Sequence, residues 1–178
     1  MAFTGILLGT TSASVTQHAS CPVVVVHGQD APAGPVVVGV DGSTASEQAL
    51  GYAFEAAARA GTVLWAVHAW DDLGMLHSPI APAEAVPVDK IEAAAQRMLA
   101  EQLASWQQKY PDIIVERQVI HERPAAALIE LGRRAQMVVV GSRGRGGFAR
   151  LLLGSISQAV VRHATCPVIV CRSSNWQD

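Results

Sequence analysis

A glycine-rich stretch in the last third of the chain has the residue types of a phosphate-binding loop. Residues 141–147 have the sequence Gly-Ser-Arg-Gly-Arg-Gly-Gly, and Gly154-Ser155 then begins a segment with helical apolar spacing. Glycine allows backbone amides to approach a phosphate closely, and the first N–H groups of a helix have no partner within the helix. The side chains of Arg143 and Arg145 could add charge pairing. This combination predicts a site for a phosphate-bearing ligand.

A second candidate for chemistry, Asp41, follows the first apolar run of strand length. Val36–Val40 has the composition of a strand buried on both faces, and Asp41-Gly42-Ser43 ends it. Two interpretations of the carboxylate stay open at this point. It faces a ligand at the strand end, or it serves only the turn, because Asp-Gly-Ser is ordinary turn chemistry.

Other nucleotide-binding and catalytic patterns are absent from the sequence. No Gly-Lys-Ser or Gly-Lys-Thr occurs, which argues against a Walker-type site. The first strand is followed by Asp-Gly-Ser-Thr-Ala-Ser and not by a dinucleotide-binding fingerprint. His18 and His163 are placed to finish helices, and packing explains His68 as well as a ligand does. Spacing supports no triad of Ser, His and Asp.

Alternating strands and helices must position the loop and the carboxylate. Ser43 or Thr44 can cap the first helix, with Glu47 in a capping box, and Gly61 ends it. The alternation predicts an α/β domain with a parallel sheet, right-handed crossovers and a ligand site after the first, second and fourth strands. The predicted strands are 36–40, 62–68, 113–119, 137–140 and 167–171, the predicted helices are 44–59, 90–110, 124–131 and 155–163, and residues 71–87 are predicted as a loop.

The two ends of the chain repeat one helix-then-strand pattern. Residues 7–25 recur 145 positions later as residues 152–170, with an identical His-Ala-x-Cys-Pro-Val core that begins at His18 and at His163. Matching His, Cys and Pro at one offset indicates duplication. We therefore expect the strand at 23–26 to lie antiparallel to 168–171 and to cover an exposed edge. The predicted division is 1–27 as the last helix and strand of a preceding domain, 28–35 as a linker, 36–172 as a complete domain and 173–178 as a tail.

The glycine-rich stretch also has the spacing of a known family. The spacing is Gly141, two residues, Gly144, nine residues, Gly154 and then Ser155. This spacing resembles the ATP-binding motif of the universal stress protein family. Three further segments extend the resemblance over residues 36–171. They are the Val-Gly-Val-Asp-Gly-Ser sequence at 38–43, the Val-His-Ala end of the second strand and the final His-Ala-x-Cys-Pro-Val sequence. Glu122 departs from the pattern, since relatives often have a glycine there, and this concerns the local turn more than the nucleotide site.

The resemblance implies a flavodoxin-like or Rossmann-like fold, with a five-stranded parallel sheet in the order 3-2-1-4-5 and helices on both faces. It implies ATP or another adenine nucleotide as ligand, with Mg²⁺ or Mn²⁺ held indirectly through that nucleotide near Asp41. Family members pair subunits or tandem domains through their last strands, so a homo-oligomer is expected, and the chain resembles the C-terminal part of a tandem member. The implied nucleotide-binding residues are Gly39, Asp41, Ala69, Val140, Gly141, Ser142, Arg143, Gly144, Arg145, Gly146, Gly147, Gly154, Ser155 and Ile156.

Composition and charge limit the remaining classes of protein. Half of the 178 residues are hydrophobic and 16% are charged, which is typical of a globular domain. Thirteen basic and fifteen acidic residues give a net charge of −2, which disfavours nucleic acid as a partner. No apolar run has the roughly 20 residues of a membrane span and no signal-peptide pattern begins the chain, so we expect a cytoplasmic protein without a membrane partner. The three cysteines lack Cys-x-x-Cys spacing and are expected to be buried, reduced thiols.

Three functional hypotheses are compatible with these patterns. The leading one is a cytoplasmic regulator in the stress response, in which bound ATP stabilises one conformation or partner-binding state. The second is a slow ATP hydrolase that uses Asp41 and a divalent metal. The third is a dimeric interaction module without nucleotide. The sequence leaves open whether the chain is an enzyme, and it does not identify the regulated protein partner.

Overall fold

A six-stranded sheet with helices on both faces forms the part of the chain that the computed structural model describes, residues 10–26, 33–71, 87–145 and 153–172. Most of the predicted loop at 71–87 lies outside these residues. Within them, no helix combines the length and the apolar character that crossing a bilayer requires. The elements in chain order are α1 (Thr10–His18), β1 (Val23–Val25), β2 (Val36–Gly39), α2 (Thr44–Ala60), β3 (Leu64–Trp70), α3 (Val88–Lys109), β4 (Val115–His121), α4 (Pro124–Gly132), β5 (Met137–Gly141), α5 (Ser155–His163) and β6 (Val168–Cys171).

The strands lie in the order β1-β6-β5-β2-β3-β4, with β2 at the centre of the parallel part. Val36 of β2 pairs with Leu64 of β3 on one side and with Met137 of β5 on the other. Counted within the predicted domain, β2 to β6 have the order 3-2-1-4-5 and are parallel, so the predicted fold class is confirmed. The order reverses between β2 and β5, where open parallel sheets form a crevice beyond their strand ends.

The sixth strand, β1, extends the sheet beyond β6. It runs antiparallel to β6, with Val25 opposite Val168, as the repeat predicted. Arg172, buried directly after β6, donates from Nη2 to the carbonyl of Thr16 at 2.7 Å and to that of Gln17, both in the last turn of α1. These contacts attach α1 and β1 to the same sheet as the other strands.

The second and third strands of the predicted domain begin two residues later than expected, at Leu64 and Val115, and each extends two residues further. Thr62 explains the late start of β3, because its N–H donates to the carbonyl of Ala57 at the end of α2, at 3.1 Å. An amide that completes a helix end is not available to a strand ladder. The ladder therefore begins after the helix end is satisfied.

Helix α2 has the predicted ends but a different N-terminal bonding pattern. Ser43 is the N-cap, and its side chain accepts from the backbone N–H of Ser46 at 3.2 Å, while Ser46 Oγ donates back to the carbonyl of Ser43 at 2.9 Å. The capping box with Glu47 is thus wrong, because the capping residue is Ser43 and the position three residues later is Ser46. Gly61 ends the helix in the left-handed conformation, with φ of 61°, as predicted.

The core is divided between the two faces of the sheet. Along β2, Val36 and Val38 pack with residues of α2 and α3, including Phe54, whereas Val37 packs with residues of α4 and α5, including Leu128. Successive strand residues point to opposite faces. Burial on both faces explains why β2 is a continuous run of valines without polar alternation.

The three cysteines differ in their exposure. Cys166 and Cys171 are buried and Cys21 is exposed, so the prediction of burial is wrong for Cys21. Cys21 lies in the turn before β1, the edge strand of the described sheet, whereas Cys166 packs beside Gly132 of α4. Burial raises the pKa of the Cys171 thiol to about 12 and also raises the pKa of Cys166.

Thiol reactivity in the native protein should distinguish the three cysteines. The thiolate is the reacting species, so burial and a raised pKa both suppress reaction at Cys166 and Cys171. We expect Ellman's reagent at pH 8 to modify Cys21 rapidly and the other two only after unfolding. A Cys21→Ser variant should lose the fast phase, and a fast phase that remains in this variant would contradict the assigned burial.

Truncation of Phe54 should destabilise the face that carries α2 and α3. The Phe54 ring is fully buried and stacks with Trp106 at 6.0 Å and with Tyr110 at 5.6 Å between ring centroids. We expect Phe54→Ala to reduce the free energy of unfolding by about 3–5 kcal/mol, measured by urea denaturation. Tyr52→Ala is the control, because Tyr52 lies on the same helix and is 41% exposed. Similar losses for both variants would contradict the packing described.

Candidate functional site

A candidate ligand site is a crevice at the carboxyl ends of β2, β3 and β5. It contains about 520 Å³ of empty space, counting its open mouth. It lies after the first, second and fourth strands of the predicted domain, as expected. Its lining residues are Gly39, Val40, Asp41, Ser46, Val67, Ala69, Pro124, Leu128, Val140, Gly141, Arg143, Gly144, Ile156 and Ser157.

Eight of the predicted nucleotide-binding residues line this crevice, and the structure brings them together from four separate elements and the turns between them. The eight are Gly39, Asp41, Ala69, Val140, Gly141, Arg143, Gly144 and Ile156. Ser142 is buried beneath the loop, Gly154 and Ser155 stand at the start of α5, and Arg145 is exposed. Gly146 and Gly147 lie outside the described residues.

Sequence reasoning missed six residues of the lining, which are Val40, Ser46, Val67, Pro124, Leu128 and Ser157. Pro124 and Leu128 belong to α4, and their approach to the crevice follows from how that helix packs on the sheet. The signal available in the sequence was the apolar i, i+4 spacing of these two residues. Such spacing shows a shared helix face but does not show what the face contacts.

One wall of the crevice is apolar. Val67 in the middle of β3 and Val140 near the end of β5 are buried, and Leu128 of α4 is 4% exposed. Ala69 continues the wall toward the mouth and is partly exposed. A wall of this kind suits the flat, largely apolar face of an aromatic ring.

The opposite wall is formed by backbone of the glycine-rich loop, and its ends are fixed by hydrogen bonds. Ser142 donates its N–H to the carbonyl of Cys171 at 2.6 Å, and its own carbonyl accepts from the N–H of Gly154 at 2.7 Å. Ser157 Oγ donates to the carbonyl of Gly141 at 2.6 Å. The chain positions on either side of the loop, Ser142 and Gly154, are therefore held beside each other.

Asp41 connects the loop to the turn after β2. Its Oδ1 accepts from the N–H of Ser43 and its Oδ2 accepts from the N–H of Arg145, each at 3.0 Å. Gly144 allows this approach, because a Cβ at that position would lie 2.5 Å from Asp41 Oδ2. The side chain of Arg145 lies against Gly42 of the same turn. Asp41 therefore serves its turn and also borders the crevice.

Positive charge collects at the start of the loop. Arg143 lines the crevice, and its Nε is buried without a hydrogen-bond partner among the residues described. The pKa of the Arg172 guanidinium is lowered by burial and, secondly, by the positive charge of Arg143. The positive charges of Arg143 and Arg172 repel each other, and an anion beside them would reduce this repulsion. The position is therefore favourable for an anion.

The start of α5 adds unpaired amides to the same wall. Gly154 is the N-cap of α5 in an extended conformation, and no side chain caps the helix there. Ser155 and Ile156 follow as its first residues, and Ile156 reaches the crevice. An uncapped helix N-terminus offers N–H groups and a partial positive charge to an anion.

Two of the three histidines considered as ligand or catalytic candidates, His68 and His18, hydrogen-bond to backbone carbonyls. His68 donates its Nδ1–H to the carbonyl of Val40 at 2.8 Å, which joins β3 to the end of β2. His18 donates to the carbonyl of Ser14 at 2.9 Å in the last turn of α1, and His163 lies in the last turn of α5, as predicted. Within the described ranges, no group of three or more His, Cys, Asp or Glu side chains could hold a metal ion.

Comparisons with known proteins agree with this geometry. The model of the universal stress protein family matches residues 33–172. The chain is 48% identical over 171 residues to a universal stress protein of Mycolicibacterium smegmatis, and the match covers 94% of this chain and 56% of that protein. The chain spans about half the length of the curated relatives that it matches.

Two crystal structures show the same fold. One is a universal stress protein from Archaeoglobus fulgidus, with a TM-score of 0.69 and 25% identity, covering 95% of this chain and 57% of that chain. The other is a universal stress protein in complex with cAMP, with a TM-score of 0.55 and 26% identity, covering 79% of this chain and 98% of that chain.

Replacement of Gly141 tests the close packing at the start of the loop. A Cβ at Gly141 would lie 2.8 Å from the carbonyl carbon of Ala45 in α2, so the end of β5 would have to move. We expect Gly141→Ala to lower the free energy of unfolding by about 1–3 kcal/mol in urea denaturation. Gly154→Ala is the control, because its nearest contact would be 3.4 Å, and its loss should stay below about 1 kcal/mol. Equal losses would argue against the packing.

Proposed function

The chain belongs to the universal stress protein family, and from this premise we propose that it binds ATP or another adenine nucleotide in the crevice beyond β2, β3 and β5. The nucleotide acts as a regulatory ligand that stabilises one conformation or partner-binding state in the stress response. Binding without rapid turnover is the activity that the described residues support best.

The observation that carries this proposal is the pairing of an apolar wall with a backbone-lined loop in one crevice. Val67, Ala69 and Leu128 offer a surface for the purine ring, and Gly141 and Gly144 offer backbone for the phosphates. Nucleotide ligands have the same division into an apolar ring and a charged tail. Small-molecule sites commonly join an apolar wall to a few placed polar groups.

Arg143 supports the placement of phosphates at the loop. Its Nε is a buried donor without a hydrogen-bond partner among the described residues, and a buried donor without a partner costs free energy. A phosphate oxygen would supply the missing acceptor and a charge of the right sign. The uncapped start of α5 supports the same position.

The solved universal stress protein with cAMP supports the class of base. That protein is 26% identical to this chain and binds an adenine nucleotide in the crystal. The preference for a triphosphate rests on the spacing of Gly141, Gly144, Gly154 and Ser155, which resembles the ATP-binding motif of the family.

A divalent cation, Mg²⁺ or Mn²⁺, is proposed to enter with the phosphates. Asp41 is the carboxylate that lines the crevice, and both of its oxygens already accept backbone N–H groups. One carboxylate with this bonding is a weak metal site without the oxygens of a bound nucleotide. For the same reason we place ATP hydrolysis second to regulatory binding.

The architecture of the whole protein is part of the proposal. We propose that residues 1–27 complete a preceding domain of the same family, that 28–35 are a linker, and that 36–172 form the nucleotide-binding domain. The antiparallel pairing of β1 with β6 supports this division. Pairing of last strands between two chains, in place of the β1–β6 pairing, would give a homo-oligomer, and the cytoplasm is the proposed location.

Calorimetry with the purified chain tests nucleotide binding. We expect heat of binding with ATP and magnesium, a weaker response with GTP, and no steady release of phosphate. Arg143→Ala should weaken ATP binding about tenfold or more, because it removes a charge-assisted hydrogen bond. Arg59→Ala is the control, since Arg59 is exposed on α2 and paired with Glu55 at 2.7 Å.

The outcomes separate the three functional hypotheses. Absence of ATP, ADP and cAMP binding would leave the nucleotide-free interaction module. Steady phosphate release that Asp41→Asn abolishes would favour the hydrolase. Equal effects of the two arginine substitutions on affinity would show that the nucleotide does not contact the loop at Arg143.

A further inference from the structure

The pairing of β1 with β6 joins residues that are equivalent in the repeat. Val24 lies opposite Ile169, and the neighbouring residues pair antiparallel around this point. Residues 23–25 recur as 168–170, so Val24 is also the repeat equivalent of Ile169. The β6 strand of a second copy of this chain could therefore replace β1 in the same register, with Ile169 opposite Ile169. The edge of β6 thus has two candidate partners.

Each candidate strand follows a helix, and the two helices differ in charge at their ends. In the repeat, Gln17 of α1 is equivalent to Arg162 of α5. His18 is the basic residue in the last turn of α1, whereas the last turn of α5 contains both Arg162 and His163. If a second copy supplied β6, its α5 would take the place of α1. The contact at the helix end would then gain one positive charge.

Arg172 is the residue that meets this helix end. It directly follows β6, is 6% exposed and donates from Nη2 to the carbonyls of Thr16 and Gln17. Burial lowers the pKa of its guanidinium, and the positive charge of Arg143 lowers it further. A further positive charge beside a guanidinium that water solvates poorly costs free energy. A symmetric pair of β6 strands would contain this unfavourable contact twice, once for each Arg172.

We propose that Arg172 is a specificity-determining residue of the β6 edge, which selects the α1–β1 unit and disfavours the α5–β6 unit of a second copy. The strands themselves do not discriminate, because residues 23–25 and 168–170 are both runs of β-branched side chains. The charge at the helix end does, since Gln17 is neutral and Arg162 is cationic. The proposed homo-oligomer then requires an exchange that Arg172 opposes, and this inference does not depend on nucleotide binding.

Gln17→Arg in the full chain tests the selection within one molecule. A cation in the last turn of a helix normally stabilises that helix, so weaker attachment is expected only because Arg172 is close. We expect hydrogen exchange of residues 10–26, followed by mass spectrometry, to become about tenfold faster than in the wild type.

Ser12→Arg is the matched control for Gln17→Arg. Ser12 is exposed on the same helix, two residues after its start, and its substitution adds the same charge. It should change the exchange of residues 10–26 by less than about twofold. Exchange of residues 36–40, which include the central strand β2, should be the same in every variant and shows that the domain is folded.

A charge swap, Gln17→Arg with Arg162→Gln, tests the rejection of a second copy. It moves the cation from α5 to α1 and keeps the net charge. We expect the dimer dissociation constant, measured by analytical ultracentrifugation, to fall about tenfold or more. Residues 10–26 should lose their protection from exchange in that dimer. In an Arg172→Gln background, the same swap should change the dissociation constant by less than about twofold.

The outcomes separate this inference from the proposed function. Unchanged or slower exchange in Gln17→Arg, or equal acceleration in Ser12→Arg, overturns the selection by Arg172. A charge swap that leaves the chain as monomeric as the wild type, or that acts equally without Arg172, overturns the rejection of a second copy. None of these results bears on binding in the crevice, so the inference can fail while nucleotide binding stands.

Discussion

The Asp41 carboxylate joins two turns that are 104 residues apart in sequence at one point of the crevice. One oxygen accepts from Ser43 and the other from Arg145, and Ser43 also caps α2. The end of β2, the start of α2 and the glycine-rich loop therefore form one hydrogen-bonded unit. Because the three parts share this carboxylate, it fixes their relative positions at this end of the crevice.

Hydrogen bonds within the protein hold the two ends of the loop together. The carbonyl of Ser142 accepts from the N–H of Gly154, and the N–H of Ser142 donates to Cys171 of β6. Bringing the two ends of a loop together costs conformational entropy. The parallel pairing of β5 with β6 offsets that cost when the domain folds. The backbone of Ser142 and of Gly154 is therefore held in place beside the crevice.

The parallel α/β class and the position of the crevice could be predicted because they depend on local patterns, such as the apolar run at 36–40 and the glycine spacing after Val140, whereas the sheet order was implied by the family resemblance. Failures concern details set by tertiary contacts. The helix is capped by Ser43 and not by Thr44, so the residue three positions after the cap is Ser46 and not Glu47. Leu128 entered the crevice because α4 packs against β2, and no local pattern specifies that contact.

Helix α1 is attached to the sheet through a buried arginine. Thr16 and Arg172 are buried polar residues, and Arg172 donates to the carbonyls at the end of α1. Burial of a guanidinium without hydrogen-bond partners costs free energy. The carbonyls of α1 supply partners to Arg172 and so offset part of the cost of burying its charge near Arg143. The first helix and the loop wall are thus linked through the electrostatics of one arginine pair.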